Sequence, residues 1–125
     1  MLLNKYFFFF LFVTCFTFSQ VSICSWNIMN LGKSKSDSEL MVMANAIKSY
    51  DIIAIQEVVA GYGGAKAVSR LVAILNTKGS KWDYVISNPT TSANPSTRER
   101  YAFIWKTAVV KKIGKAWLEK RYHLE

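Results

Sequence analysis

Glu57 closes the run Asp51-Ile52-Ile53-Ala54-Ile55-Gln56-Glu57-Val58. Four consecutive apolar residues, Ile52 to Ile55, predict a strand buried on both faces, as in a sheet covered by helices on either side. A carboxylate at the carboxyl end of such a strand stands at the rim of the sheet, where open α/β sheets bind their ligands. By itself that position also suits an ordinary solvated strand end. Asn27 ends an earlier strand-like stretch in the same way, and Glu99 opens a later one. Glu99 lies between Arg98 and Arg100, so a local ion pair is the plain alternative for it. Gly61-Tyr62-Gly63-Gly64 invites a phosphate-loop reading. Its spacing fits neither the dinucleotide fingerprint nor the P-loop, and no Gly-Lys-Ser/Thr follows. A turn into the next helix is the better expectation.

The elements that would position these residues follow in order. Val21 to Asn27 reads as a strand with large apolar residues at 21 and 23, followed by a polar loop from Met29 to Lys35. Ser36-x-x-Glu39 is a capping box, in which hydroxyl and carboxylate satisfy the free amides of a first helical turn. Leu40, Met43, Ala44 and Ile47 recur at helical spacing, and that helix should end near Tyr50. After the strand 51–58, a second helix is expected from about Ala65 to Thr77. Val68, Leu71, Val72 and Leu75 would face the core, with Gly79 as the stop. Lys81 to Ile86 is aromatic and β-branched, hence a strand. A Ser-, Thr-, Asn- and Pro-containing loop leads to a further strand, Arg100 to Trp105. Lys106-Thr107 then turns into a last strand, Val109 to Ile113. Strand, helix, strand followed by an antiparallel pair predicts a layered α/β arrangement with a mixed sheet.

The chain has 125 residues, enough for one domain, and at 51% hydrophobic and 14% aromatic it can form a true core. The net charge is +8, and Lys5 is the single charge among residues 1–19, so the remainder carries +7. Such a balance permits polyanionic partners: nucleic acid, phosphorylated substrates or anionic lipid heads. Lys111, Lys112, Lys115, Lys120 and Arg121 cluster near the C-terminus, where a solvated face is a sufficient explanation. Lys5, the apolar run Tyr6 to Val13, and Thr17 and Ser19 at small-residue positions have the layout of a secretory signal peptide over residues 1–19. The apolar run is short for a membrane span. An uncleaved anchor is the alternative. A lipoprotein signal at Cys15 lacks the small residue expected before that cysteine. Residues 20–125 would then form the mature, secreted or periplasmic part. Its single cysteine, Cys24, belongs to an apolar strand and is expected in the core rather than reactive.

Three pieces stand together in this order: Ser25-Trp26-Asn27-Ile28-Met29-Asn30-Leu31-Gly32, Asp51 to Val58, and Glu99-Arg100-Tyr101-Ala102-Phe103-Ile104-Trp105. With these separations the chain resembles the endonuclease/exonuclease/phosphatase superfamily, and within it the deoxyribonuclease I-like enzymes, over roughly residues 21–113. The resemblance implies an α/β fold, the first half of a four-layered α/β sandwich with mixed β-sheets. It implies that Glu57 binds a catalytic divalent metal, usually Mg²⁺, and that Asn27 contacts that metal or the scissile phosphate. Glu99 matches the carboxylate that orients the family's catalytic histidine. These residue types suit the chemistry: Mg²⁺ takes oxygen ligands, commonly one or two carboxylates plus water and substrate phosphate. An amide adds an oxygen or a donor without another negative charge beside a phosphodiester. The implied activity is metal-dependent phosphodiester hydrolysis, most simply of nucleic acid.

The second half of the family's site calls for a histidine, an Asp-x-Asn pair and a late Asp-His pair. The aspartates here are Asp37, Asp51 and Asp83, none in that setting, and the one histidine is His123, in a setting unlike the family's motif. The expectation is therefore an N-terminal half that is inactive alone and leaves an apolar sheet face uncovered. Two departures bear on substrate. Val58-Val59-Ala60 follows the metal glutamate where deoxyribonuclease I-like enzymes place a basic residue, and Ser96-Thr97 stands where they carry a tyrosine. They leave open a phospholipid or sugar-phosphate phosphodiesterase of the same superfamily, or a non-catalytic module that binds polyanions.

Overall fold

The computed structural model describes residues 20–116. The expected leader over 1–19 and His123 lie outside them. The elements are β1 (Ile23–Leu31), α1 (Asp37–Ile47), β2 (Ile52–Val59), α2 (Tyr62–Asn76), β3 (Trp82–Ile86), a 3₁₀ turn (Pro95–Thr97) and β4 (Glu99–Lys106). They form one mixed sheet in the order β1-β2-β4-β3. β1 and β2 are parallel, joined through α1, and β4 runs antiparallel to both β2 and β3. The chain is an α/β protein with a four-stranded mixed sheet, as the order of patterns predicts.

The two helices form as their periodicities require. Ser36 caps α1 in a full capping box with Glu39, and Leu40, Ala44 and Ile47 are buried, with Met43 packed against them. Val68, Leu71, Val72 and Leu75 of α2 are all buried, and Gly79 takes the left-handed conformation just past the helix. Both helices pack on the same sheet face, against Ile53, Ile55, Val58, Ala102 and Ile104 in one continuous core. This corrects the expectation of helices on both faces. Among the described residues the opposite face, bearing Ile23, Ile52, Ala54, Val85, Phe103 and Trp105, has no helix on it. The irregular segment 110–116 lies along part of it, where Val110, Ile113 and Ala116 meet Ile52, Val85, Phe103 and Trp105 around a cleft of about 350 Å³. Ile23 is 65% exposed.

Three further expectations are corrected. In β1 the core is reached by the even positions, since Cys24, Trp26 and Ile28 pack inward while Val21 and Ile23 are exposed. Cys24 is accordingly a partly buried, unpaired thiol against the core. β1 also runs on through the expected loop to Leu31, because a bulge with Asn30 in the left-handed region lets pairing resume at Leu31↔Val58. No strand forms at 109–113, where Thr107 to Val109 turn and the chain continues without ladder bonds.

Asp51 ties the sheet together at the start of β2. Its Oδ2 accepts from the Ser22 amide (2.9 Å) and the Ser22 hydroxyl (2.7 Å), and its Oδ1 accepts from Lys106 Nζ (3.2 Å). Lys106 also lies 5.4 Å from the centre of the Trp82 ring. The bonds from Ser22 and then Lys106 lower the Asp51 carboxyl from 3.8 to about 2. A depressed acid stabilises the fold above its ordinary range, and that contribution is lost as pH falls through the folded value. Stability followed by urea midpoint is therefore expected to drop between about pH 4 and 2, and Asp51→Asn is expected to lower the midpoint at pH 7 and flatten that acid limb.

Candidate metal edge

The extra residue in β2 decides where Glu57 points. Ile55 pairs with Ala102 and Val58 with Arg100, so Gln56 and Glu57 together oppose Tyr101 alone. Glu57 absorbs the difference with φ at +57°, in the left-handed region that side chains avoid. Without the bulge, strict alternation would carry Glu57 to the helix-covered face with Ile53 and Ile55. With it, Val58 takes the buried place and the carboxylate turns to the other face. There Asn27, paired with Gln56 in the parallel ladder, donates through Nδ2 to Glu57 Oε1 at 2.7 Å. Gln56 is held in turn, its Nε2 donating to Ser25 Oγ at 2.9 Å.

The structure thus brings Asn27, midway along β1, into contact with Glu57, near the carboxyl end of β2, at the point where the regular parallel register of the two strands breaks. Glu99 begins β4, opposite Val59 and two residues beyond Glu57 in the ladder. Alternation along β4 puts it on the face of Tyr101 and Phe103, which is also the face of Asn27. Its backbone is fixed by Thr90, whose amide donates to Glu99 O (2.8 Å) and whose Oγ1 accepts from Glu99 N (3.0 Å). The local ion pair does not form. Arg98 donates to Ser92 O, and Arg100 donates to Ala60 O (2.8 Å) and Ser87 O (3.1 Å). Among the described residues the ion pairs are Arg70–Asp37 and Lys106–Asp51. Ser96 and Thr97 are tied within their own loop, Ser96 to Asn94 and Thr97 to Ser92.

The donor set suits a hard cation. Asn27 spends an amide N–H on Glu57 Oε1, and its Oδ1 and Glu57 Oε2 have no hydrogen-bond partner among the described residues. No group of three or more His, Cys, Asp or Glu that could hold a metal occurs among the described residues. One amide oxygen and one carboxylate are donors of the kind a hard cation takes alongside water.

The glycines after β2 are structural. α2 begins at Tyr62, three residues before the expected start, and Gly63 and Gly64 lie in its first turn. A Cβ on Gly64 would fall 2.0 Å from Val59 O, so only glycine lets the helix start this close to the strand carrying Glu57. Sequence reasoning missed the bulge and the roles of Gln56 and Ser25. The bulge has no residue signature here, because its left-handed position is filled by glutamate rather than glycine.

No protein-family model matches the chain. It is 30% identical over 99 residues to a protein from Thioalkalivibrio sp. (strain K90mix) named deoxyribonuclease. The match covers 78% of this chain and 26% of that protein, so the chain spans about a quarter of the relative's length.

Proposed function

We propose that the chain supplies the metal edge of a secreted or periplasmic, metal-dependent phosphodiester hydrolase of nuclease type. The observation that carries the reading is the Asn27–Glu57 contact, held on the open sheet face by a strained bulge. The distant similarity to a protein named deoxyribonuclease points the same way. Glu57 and Asn27 would hold Mg²⁺, and the ion would supply charge stabilisation at phosphate oxygens. Glu99 would orient a histidine outside the described residues, as carboxylates orient imidazoles in hydrolase triads. In this reading the uncovered face is the inner face of a four-layered α/β sandwich.

Metal-linked binding tests this without turnover. A nuclease edge predicts that Mg²⁺ strengthens binding of a phosphorothioate oligonucleotide, and that EDTA or Glu57→Gln removes the gain. The departures at Val58 to Ala60 and at Ser96-Thr97 favour one runner-up, a phospholipid or sugar-phosphate phosphodiesterase. That enzyme would show the gain with phospholipid vesicles or a sugar phosphate instead. Oligonucleotide binding that needs no Mg²⁺ and ignores Glu57 would make the chain a simple polyanion binder and sink the metal-edge reading.

A further inference from the structure

The rim that carries Asn27 and Glu57 has a second feature on its helix side. The loop after β1 and the first turns of α2 enclose a cleft of about 290 Å³, lined by Lys33, Tyr62, Gly63, Lys66 and Arg70. Its walls are close-set, since a Cβ on Gly63 would lie 3.1 Å from both Lys33 N and Lys33 Cβ. Arg70 is already committed, donating to Asp37 Oδ1 and to Lys35 O. Lys33 and Lys66 make no hydrogen bond or ion pair among the described residues, and no carboxylate lines the cleft. Tyr62 is 81% exposed beside them. Two lysines facing one cleft repel each other unless an anion lies between them. The N-terminus of α2, where Gly61 offers no side-chain cap, adds to the positive field.

Lysines for phosphate and an exposed aromatic face for a base are the chemistry of single-strand grooves. We propose that the Lys33–Tyr62–Lys66 cleft binds a stretch of single-stranded nucleic acid, the lysines on its phosphates and Tyr62 against a base. The cleft adjoins the metal edge, because Gly32 and Gly64 pack directly on Val59, two residues past Glu57. The assignment rests on the nuclease reading for what happens to the strand, but its binding needs no metal.

Fluorescence anisotropy of the chain with a labelled oligothymidylate in EDTA tests it across a salt series. Lys33→Gln/Lys66→Gln is expected to reduce the slope of log K against log salt by about 1.4, at ~0.7 per lost single-strand phosphate contact. Tyr62→Ala is expected to weaken oligothymidylate about tenfold or more and to leave inorganic polyphosphate binding unchanged. The three side chains are exposed, so both variants should melt like the wild type. An unchanged slope and affinity in the double lysine variant overturns the site. A silent Tyr62→Ala, with polyphosphate bound as tightly as oligothymidylate, overturns its assignment to nucleic acid. These readings are taken without metal, so loss of Mg²⁺-linked binding at the metal edge does not decide them.

Discussion

Replacing Glu57 with glutamine is expected to weaken Mg²⁺ or Mn²⁺ binding by at least tenfold, measured by calorimetric titration, with little change in melting temperature. Glutamine keeps the side-chain shape and an oxygen for Asn27, but removes the carboxylate charge that Asn27 contacts. Even groups that only support a metal ligand change affinity on the order of 10–100-fold, so a direct ligand should do no less. The backbone at this position yields a second, opposite test. A φ of +57° costs a side chain about 1–2 kcal/mol, and more if it is β-branched. At an ordinary strand position valine is better than glycine by up to about 1 kcal/mol. Here the order should reverse: Glu57→Gly close to wild type, Glu57→Val destabilised by roughly 2 kcal/mol. If Glu57→Val is the more stable of the two, the bulge does not hold Glu57 as described, and the route by which Glu57 reaches Asn27 falls with it.

Gly64→Ala should be the most damaging single methyl group in the molecule. Its Cβ would meet Val59 O at 2.0 Å and Val59 C at 2.8 Å, both backbone atoms that cannot rotate away. Overpacking of this kind costs about 1–3 kcal/mol and occasionally more. Alanine's better helix propensity returns up to ~1 kcal/mol. A net loss of roughly 2 kcal/mol corresponds to about 10 °C in melting temperature for a domain of this size. The displacement would also reach function, since Val59 is two residues from Glu57 and metal affinity should fall along with stability. Gly61→Ser is the control: nothing lies within 4 Å of its Cβ position, and serine supplies the cap that α2 lacks. It should be neutral or stabilising by up to ~1 kcal/mol. Equal effects at both glycines would show that the start of α2 is not packed on β2.

The helices were legible because each is specified by its own residues. Ser36 and Glu39 form the capping box that their spacing announces, and the stripes Leu40–Ile47 and Val68–Leu75 are buried as patterned. The strand at 109–113 was misread because a short apolar run is a strand only if a neighbour offers ladder bonds, and none does among the described residues. Ile52 to Ile55 implied two covered faces, yet apolar character on a second face says only that something should cover it. Val21 and Ile23 misled for a related reason: alternation gives two faces but does not say which one the helices take.

Glu57 and Glu99 could be picked out from residue types near strand ends, which are local properties of the chain, whereas Asn27, expected at a strand end, lies midway along β1. That Asn27 touches Glu57 could not be picked out this way. Residues 30 positions apart meet only because β1 and β2 pair in parallel, and the carboxylate reaches that face only through one extra residue in β2. A bulge is a mismatch between two strands, so neither strand encodes it alone. The same holds for the lysine cleft, whose members are unremarkable surface charges until Gly32, Gly63 and Gly64 let the loop and the helix close together. Sequence determined the elements and the chemical types at their ends. Register, strain and close approach in the tertiary structure decided which of those residues form a site.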